Sequence, residues 1–168
     1  MARIVVFDTS VLCVWLNVAG KETCGREGDR WDRLRVNALI EGEKEGQSTF
    51  VLPLATIVET GNHIAQAADR RYETARELMT LLGLTLDEKE PWAAFSHQMD
   101  LWGQRNLEKL VNSWPQLAAS GLSLGDATIK NVAEFYAKTG AEVVIATGDK
   151  GLKAYELTTP QKIPRRRR

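Results

Sequence analysis

The sequence has few cysteines and no long hydrophobic run. Only two cysteines occur among its 168 residues. Two thiols do not make a disulfide framework, so we expect a reducing, cytoplasmic setting. No apolar segment approaches the length that a membrane span requires, and we predict no membrane partner. The apolar residues after Arg3 resemble a secretion signal, but Asp8 interrupts them and they form a good strand pattern, so we predict no signal peptide.

The chain also has no net charge. The chain has 22 basic and 22 acidic residues, and four of the basic ones form the run at 165–168. Without that run the balance is 18 minus 22, or −4. This charge does not favour a broad electrostatic nucleic-acid binder, but it is compatible with carboxylates gathered around a cation. The length indicates one domain, which we place at residues 1–157, followed by a basic, flexible tail at 158–168.

Several catalytic and binding motifs are absent. There is no Gly-x-Ser-x-Gly elbow, and the segment 148–151 is too short for a phosphate-binding Walker loop. The two cysteines and the two histidines lack the spacing of a zinc site. These absences exclude the common serine-hydrolase, nucleotide-triphosphatase and zinc-finger classes.

Strand-like and helix-like segments alternate along the chain. We predict strands at residues 4–7, 48–52 and 142–146, and helices at 10–18, 29–45, 54–67, 70–82, 90–117 (one long helix or two shorter ones), 123–140 and 152–156. Proline 115 is expected to limit the fifth of these helices. Helical spacing predicts that Leu34, Val58, Tyr72 and Met79 belong to apolar helix faces. The alternation favours an α/β fold with a mostly parallel central sheet.

Four carboxylates stand apart from the charge-rich helical faces. Asp8 ends the first strand, Asp149 follows the third, Glu59 lies in a helix of otherwise neutral residues, and Asp126 begins a late helix. Strand ends and helix starts of a parallel sheet can face the same edge. Carboxylates brought together there repel one another unless a cation neutralises them. Hard oxygen ligands select Mg²⁺ or Mn²⁺ over zinc.

Each of these acids also has an ordinary structural explanation. Asp8 or Thr9 can cap the first helix, and Asp149 can cap the short last one. Ser123 and Asp126 have the spacing of a capping box. Glu59 can pair with a buried base or face solvent. The residues alone leave both interpretations open.

The four motifs together resemble the PIN domain, the metal-dependent nuclease fold of many prokaryotic toxins of the VapC type. The resemblance rests on the segments 7–12, 58–59, 122–127 and 146–149, which occur in the family's order across nearly the whole chain. It implies a three-layer α/β/α fold and an endoribonuclease of a toxin–antitoxin system that hydrolyses phosphodiesters with a metal-activated water. It further implies a homodimer and an antitoxin partner.

The resemblance also implies roles for individual residues. One or two Mg²⁺ or Mn²⁺ ions would be held by Asp8, Glu59, Asp126 and Asp149, with Asp8 and Asp126 as the direct ligands. Hydroxyl groups would support them at Thr9, Ser10 and Thr147. RNA, or alternatively single-stranded DNA, would be the substrate. The residues themselves, apart from the resemblance, offer further contacts to the substrate: His63, one helical turn after Glu59, and the terminal arginines Arg165, Arg166, Arg167 and Arg168. The alternatives are a structural or solvated histidine and a disordered tail.

Two other functions remain open at this stage. A phosphatase of the haloacid dehalogenase type also places an aspartate at a strand end, but it uses a second aspartate two positions later, where this chain has Ser10. The other alternative is a non-catalytic PIN-like module that binds RNA or a protein.

Overall fold

The computed structural model describes residues 2–156, which contain three strands and eight helices. Their order is β1 (Arg3–Phe7), α1 (Thr9–Trp15), α2 (Arg33–Glu45), β2 (Thr49–Val51), α3 (Leu54–Gln66), α4 (Arg71–Leu86), a 3₁₀ helix (Phe95–Trp102), α5 (Gln104–Ala119), α6 (Leu124–Ala137), β3 (Glu142–Ala146) and α7 (Lys150–Lys153). No helix within residues 2–156 is both long enough and apolar enough to cross a membrane. The predicted tail at 158–168, with its four arginines, lies outside the described residues, and so does the predicted boundary at 157.

The three strands form one parallel sheet in the order β2-β1-β3. In the register of the central strand, Val5 lies beside Phe50 of β2 and Val144 of β3. Because β1 is paired on both sides, its apolar residues are shielded from water in the plane of the sheet as well as above and below it. The predicted α/β class and parallel sheet are confirmed.

Helices cover both faces of this sheet. Val5 and Phe7 belong to a core cluster shared with α1, α2, α3 and α4. Ile4 and Val6, which point the other way, belong to a second cluster with α6. The aromatic ring of Phe7 lies 5.7 Å from that of Trp15 and 5.3 Å from that of Phe50, measured between ring centroids. The two clusters hold the sheet between the helices, and the candidate site lies at the carboxyl ends of its strands.

The segment 90–117, predicted as one long helix or two shorter ones, is not helical at its start. Residues 91–93 run beside β2, where the amide of Phe50 donates to the carbonyl of Pro91 at 2.7 Å and the amide of Ala93 donates to the carbonyl of Phe50 at 2.8 Å. The edge of β2 thereby gains partners for backbone groups that would otherwise stay unsatisfied. The α-helix begins only at Gln104, and it continues through Pro115 to Ala119.

The second predicted helix begins four residues later than expected. Trp31 pairs in a backbone bridge with Cys24, and Asp32 caps the helix by accepting from the amide of Arg35 at 2.9 Å. The buried stripe follows Val36, Ile40 and Glu43, whereas Leu34 is 80% exposed. Helical spacing alone therefore selected the wrong face.

Three other apolar side chains also lie on exposed faces: Val58, Tyr72 and Met79. The prediction that they belong to buried faces is wrong. The buried positions of α4 are Thr74, Leu78 and Thr85, so two of the three are hydroxyl residues that the apolar pattern did not include. Threonine hydroxyls can be buried where they bond to the helix backbone, and the hydroxyl of Thr85 donates to the carbonyl of Leu82 at 2.7 Å.

Candidate active site

Asp8 lies at the carboxyl end of the central strand and is 5% exposed. Its carboxylate accepts three hydrogen bonds, from the amide of Thr9 at 2.7 Å, the hydroxyl of Ser10 at 2.6 Å and the hydroxyl of Thr147 at 2.7 Å. Its own amide donates to the carbonyl of Ala146 at 3.0 Å, which joins the ends of β1 and β3. The donors fix the carboxylate in one orientation while it remains buried.

Glu59 reaches the same edge from the middle of α3. The hydroxyl of Thr56, one turn earlier, donates to the carbonyl of Phe7 at 2.7 Å and ties the helix to the end of β1. The hydroxyl of Thr9 donates to the Glu59 carboxylate at 2.8 Å. A Cβ atom at Gly125 would lie 2.0 Å from Oε1 of Glu59. The glycine is therefore what lets this carboxylate lie against the start of α6.

Asp126 lies in the first turn of α6. The hydroxyl of Ser123 accepts from the Asp126 amide at 3.0 Å and caps the helix. Burial is the largest cause that raises the pKa of Asp126, and the charges of Asp8, Asp149 and Glu59 raise it further, although hydrogen bonding to Ser123 opposes the shift. The negative charges of the other three acids therefore act on Asp126.

Asp149 follows β3 and is exposed. Its amide donates to the hydroxyl of Thr147 at 2.9 Å, and that hydroxyl in turn donates to Asp8. The Asp149 carboxylate accepts from the amide of Gly151 at 2.7 Å and caps α7. Thr147 thus couples the positions of the first and last acids.

The four acids line one open cavity of about 350 Å³. They come from four different segments: the end of β1, the middle of α3, the start of α6 and the loop after β3. Thr9, Ser10 and His63 line the same cavity, whereas Thr147 is buried beneath it and acts through Asp8. Within residues 2–156, no three acidic, histidine or cysteine side chains already lie close enough to hold an ion between them.

The helix caps expected from the sequence are also present. Asp8, Ser123 and Asp149 all act as N-caps. Capping does not account for the whole arrangement, because Asp8 also accepts from two hydroxyl groups. Among the hydrogen bonds of the described residues, the Asp126 carboxylate receives no return bond from the amide of Ser123, so only half of the capping box forms.

Sequence reasoning missed a whole wall of the cavity. The loop at 17–32 contributes Lys21, Thr23 and Cys24, and α1 contributes Cys13. The loop looked like a plain polar connection, and no spacing signal distinguished its cavity-lining residues. Burial raises the pKa of Cys13 to about 11, so its thiol is protonated at neutral pH.

Comparison with known proteins adds nothing to these observations. No family model, curated protein or solved structure matches the chain. The chemistry of the cavity must therefore be argued from its own residues.

Ser10 bears on the phosphatase alternative. Its hydroxyl donates to Asp8 and accepts from the amide of Gly148 at 3.1 Å. It occupies the position where that class of phosphatase has its acidic proton donor. An alcohol oriented in this way supports Asp8 but has no readily transferable proton for a leaving group.

Proposed function

We propose that the protein is a metal-dependent endoribonuclease with a PIN-like, three-layer α/β/α fold. The observation that carries the proposal is the convergence of Asp8, Glu59, Asp126 and Asp149 on one cavity at the carboxyl edge of a parallel sheet. Gathering acids from four segments is costly in a metal-free protein, because the charges of Asp8, Asp149 and Glu59 disfavour the ionised form of Asp126. A site for a hard divalent cation explains why they are together.

The donor chemistry of the cavity fits Mg²⁺ or Mn²⁺. Carboxylate and hydroxyl oxygens line it, and these are the ligands that hard cations prefer. Because the acids do not yet lie at ligating distance from one another, binding requires some of their side chains to turn inward. Asp126 is suited to such a turn, since its carboxylate has no backbone donor fixing it among the described residues.

The residues of the cavity have separate tasks in this proposal. Asp8 and Asp126 would hold the cation directly, with Glu59 and Asp149 completing its surroundings. The cation would supply Lewis-acid stabilisation of the phosphodiester and activation of the attacking water. Thr147, Thr9 and Ser10 keep the carboxylates oriented through the hydrogen bonds described above. Hydrolysis then adds the water oxygen to phosphorus, breaks one P–O bond, and transfers a proton to the leaving oxygen.

The biological setting belongs to the same proposal. A ribonuclease of this type would act in the cytoplasm as the toxin of a toxin–antitoxin pair, as a homodimer restrained by an antitoxin protein. His63 lines the cavity and is in position to contact the RNA near Glu59. The terminal arginines are proposed to bind RNA phosphates and lie outside the described residues.

The test is cleavage of single-stranded RNA by the purified protein with Mg²⁺ or Mn²⁺, with and without a chelator. We expect Asp8→Asn to reduce cleavage at least about 100-fold, because a ligand of the activating cation is lost. Asp87→Asn, which changes an exposed acid at the end of α4, should cleave like the wild type. Undiminished cleavage by Asp8→Asn would overturn the proposal.

The same assay separates the alternatives. Single-stranded DNA offered in parallel distinguishes a ribonuclease from a nuclease that ignores the 2′-hydroxyl. A non-catalytic binding module would bind RNA without cleaving it and would bind no Mn²⁺ in a calorimetric titration. A phosphatase would instead release phosphate from a small aryl phosphate.

A further inference from the structure

We infer that Lys21 binds the phosphate group of the RNA that lies in the acidic cavity. This inference rests on the proposed nuclease function, and it names Lys21 as the residue that contacts the sugar–phosphate backbone of the substrate. Lys21 is the only lysine or arginine among the described residues that line the cavity. It shares the cavity with all four carboxylates.

Lys21 is held over the cavity by a constrained backbone. After α1 ends, the amide of Val18 donates to the carbonyl of Cys13 at 3.0 Å, and the Val18 side chain is buried in the core. The amide of Lys21 then donates to the carbonyl of Val18 at 2.8 Å. Gly20 has a φ of +84°, a conformation that glycine adopts without strain. The backbone of Lys21 is therefore held at the cavity before any substrate arrives, and its exposed side chain can reach a ligand there.

The rest of the loop is anchored as well. Cys24 and Trp31 exchange backbone hydrogen bonds of 3.0 and 2.8 Å, which close the loop on itself. A Cβ atom at Gly148 would lie 2.7 Å from Sγ of Cys24 and 2.8 Å from the amide nitrogen of Gly25, so the loop packs directly on the turn that precedes Asp149. The loop that carries Lys21 therefore packs against the turn that carries Asp149.

Lys21 does not serve as a counter-ion for the acids. No ion pair within 4.0 Å joins its ammonium to any carboxylate of the described residues, although other lysines in that range do form such pairs. The charges that act on Asp126 are those of the other acids. The charge of Lys21 acts instead on Cys13. Burial raises the pKa of the Cys13 thiol, and the positive charge of Lys21 lowers it by a smaller amount. A lysine in the cavity and unpaired in this way is available to an anionic ligand.

A phosphodiester fits both parts of the cavity. With a cation among the carboxylates, one side of the cavity attracts the phosphate oxygens, and Lys21 offers three N–H donors from the opposite loop. A neutral substrate would form no ion pair with the lysine. A nucleobase edge carries no charge at neutral pH, so it does not match a lysine and a cation together. The combination points to the sugar–phosphate backbone of the RNA.

The test measures RNA binding in a background that the nuclease proposal expects to be inactive. Anisotropy of a labelled single-stranded RNA is compared for Asp8→Asn and Asp8→Asn/Lys21→Gln in Mg²⁺. We expect the second protein to bind about tenfold more weakly, as for loss of one charge-assisted hydrogen bond. The slope of log affinity against log salt should fall by about 0.7, the value for one phosphate contact on a single strand.

Two control variants test whether the effect depends on the positive charge and on its position at residue 21. Lys21→Arg keeps the charge and should retain most of the binding, whereas Lys44→Gln removes an exposed lysine beside the start of β2, at the opposite edge of the sheet, and should change neither quantity. In the otherwise wild-type protein, Lys21→Gln should lower kcat/KM for RNA without weakening Mn²⁺ binding.

The two proposals fail in different ways. If Asp8→Asn is inactive and the added Lys21→Gln change leaves affinity and salt slope unaltered, the assignment of Lys21 is wrong and the nuclease proposal stands. If Asp8→Asn cleaves RNA like the wild type, the nuclease proposal itself is wrong.

Discussion

At the scale of single residues, the raised pKa of Asp126 shows that gathering the acids disfavours an ionised carboxylate. Its pKa is raised by burial first and by Asp8, Asp149 and Glu59 next, so the folded protein holds the proton more tightly than the unfolded chain does. For a carboxyl with a raised folded pKa, the ionised form is the destabilised one. The penalty is absent below the ordinary pKa of 3.8, develops as pH rises through the folded value, and is present in full at neutral pH.

Asp126→Asn should therefore stabilise the metal-free protein at pH 7 and not at pH 3. For a chain of this size, each kcal/mol relieved raises Tm by about 2–4 °C. The same change should reduce the rise in Tm that Mn²⁺ gives the wild type, because a ligand is lost. Thermal unfolding with and without Mn²⁺ at both pH values measures this. A lower Tm for the metal-free variant at pH 7 would contradict the electrostatic account.

Single residues also show how far the sequence predicted the shared cavity of the four acids. Asp8 and Asp149 were recognisable because each follows a short apolar strand, and parallel strands bring such ends to one edge. Glu59 was recognisable as a lone charge among neutral residues. Lys21 was not, because its place depends on how the turn between Val18 and Lys21 folds back over the cavity, and no local pattern encodes that.

At the scale of elements, the loop at 17–32 and the turn after β3 meet at Gly148. Only a residue without a side chain fits at position 148, because a Cβ atom there would lie 2.8 Å from the backbone nitrogen of Gly25. Backbone atoms cannot move aside as the end of a flexible side chain can. The glycine therefore determines how closely the two cavity walls approach.

Gly148→Ala should displace the loop and destabilise the protein by about 1–3 kcal/mol, the usual range for overpacking. Chemical unfolding measures the stability, and RNA cleavage should fall with it because Lys21 and Asp149 separate. Gly83→Ala provides a matched control, since nothing lies within 4 Å of a Cβ atom at that helical position. Equal stability of Gly148→Ala and the wild type would show that the loop does not pack as described.

A second element contact joins the start of β1 to α2. The guanidinium of Arg3 donates to the Glu43 carboxylate at 2.9 Å, and the hydroxyl of Ser48 donates to it at 2.5 Å. Burial raises the pKa of Glu43, but these hydrogen bonds and the charge of Arg3 outweigh it and leave the pKa below its ordinary value of 4.5. Stability from this group is present above that value and is lost as pH falls through the folded pKa.

Glu43→Gln should therefore cost about 1–2 kcal/mol at pH 7, a value reduced by the partial exposure of Arg3. The difference from the wild type should be smaller at pH 3 than at pH 7, because the stabilisation from this carboxylate begins to be lost as pH falls below 4.5. Urea unfolding at the two pH values measures both differences, and Glu45→Gln is the exposed control in the same helix. An equal difference at both values would mean that the ion pair does not contribute to stability.

At the scale of the whole molecule, the sequence predicted the α/β class and the parallel sheet because three apolar strands separated by helices allow few other arrangements. It did not predict which helix faces are buried. Leu34 and Tyr72 have the spacing of core residues yet are exposed, since packing against neighbours decides the face. The segment at 91–93 was misassigned because its partner, Phe50, is far away in the chain.

The candidate site follows from the same large-scale arrangement. Parallel strands place Asp8 and Asp149 at one edge, and α3 and α6 bring Glu59 and Asp126 to it from opposite sides of the sheet's end. Fold and site are therefore not independent, because the order of elements that buries the core also gathers the acids. In the proposed function, the four gathered acids bind a divalent cation.

The most direct test is a crystal structure of the protein soaked in Mn²⁺, with the ion located by its anomalous scattering. We expect a peak in the cavity with oxygen atoms of Asp8 and Asp126 at about 2.1 Å, and with the other two acids turned towards it. A cavity without such a peak at saturating Mn²⁺, its four carboxylates still apart, would contradict the account.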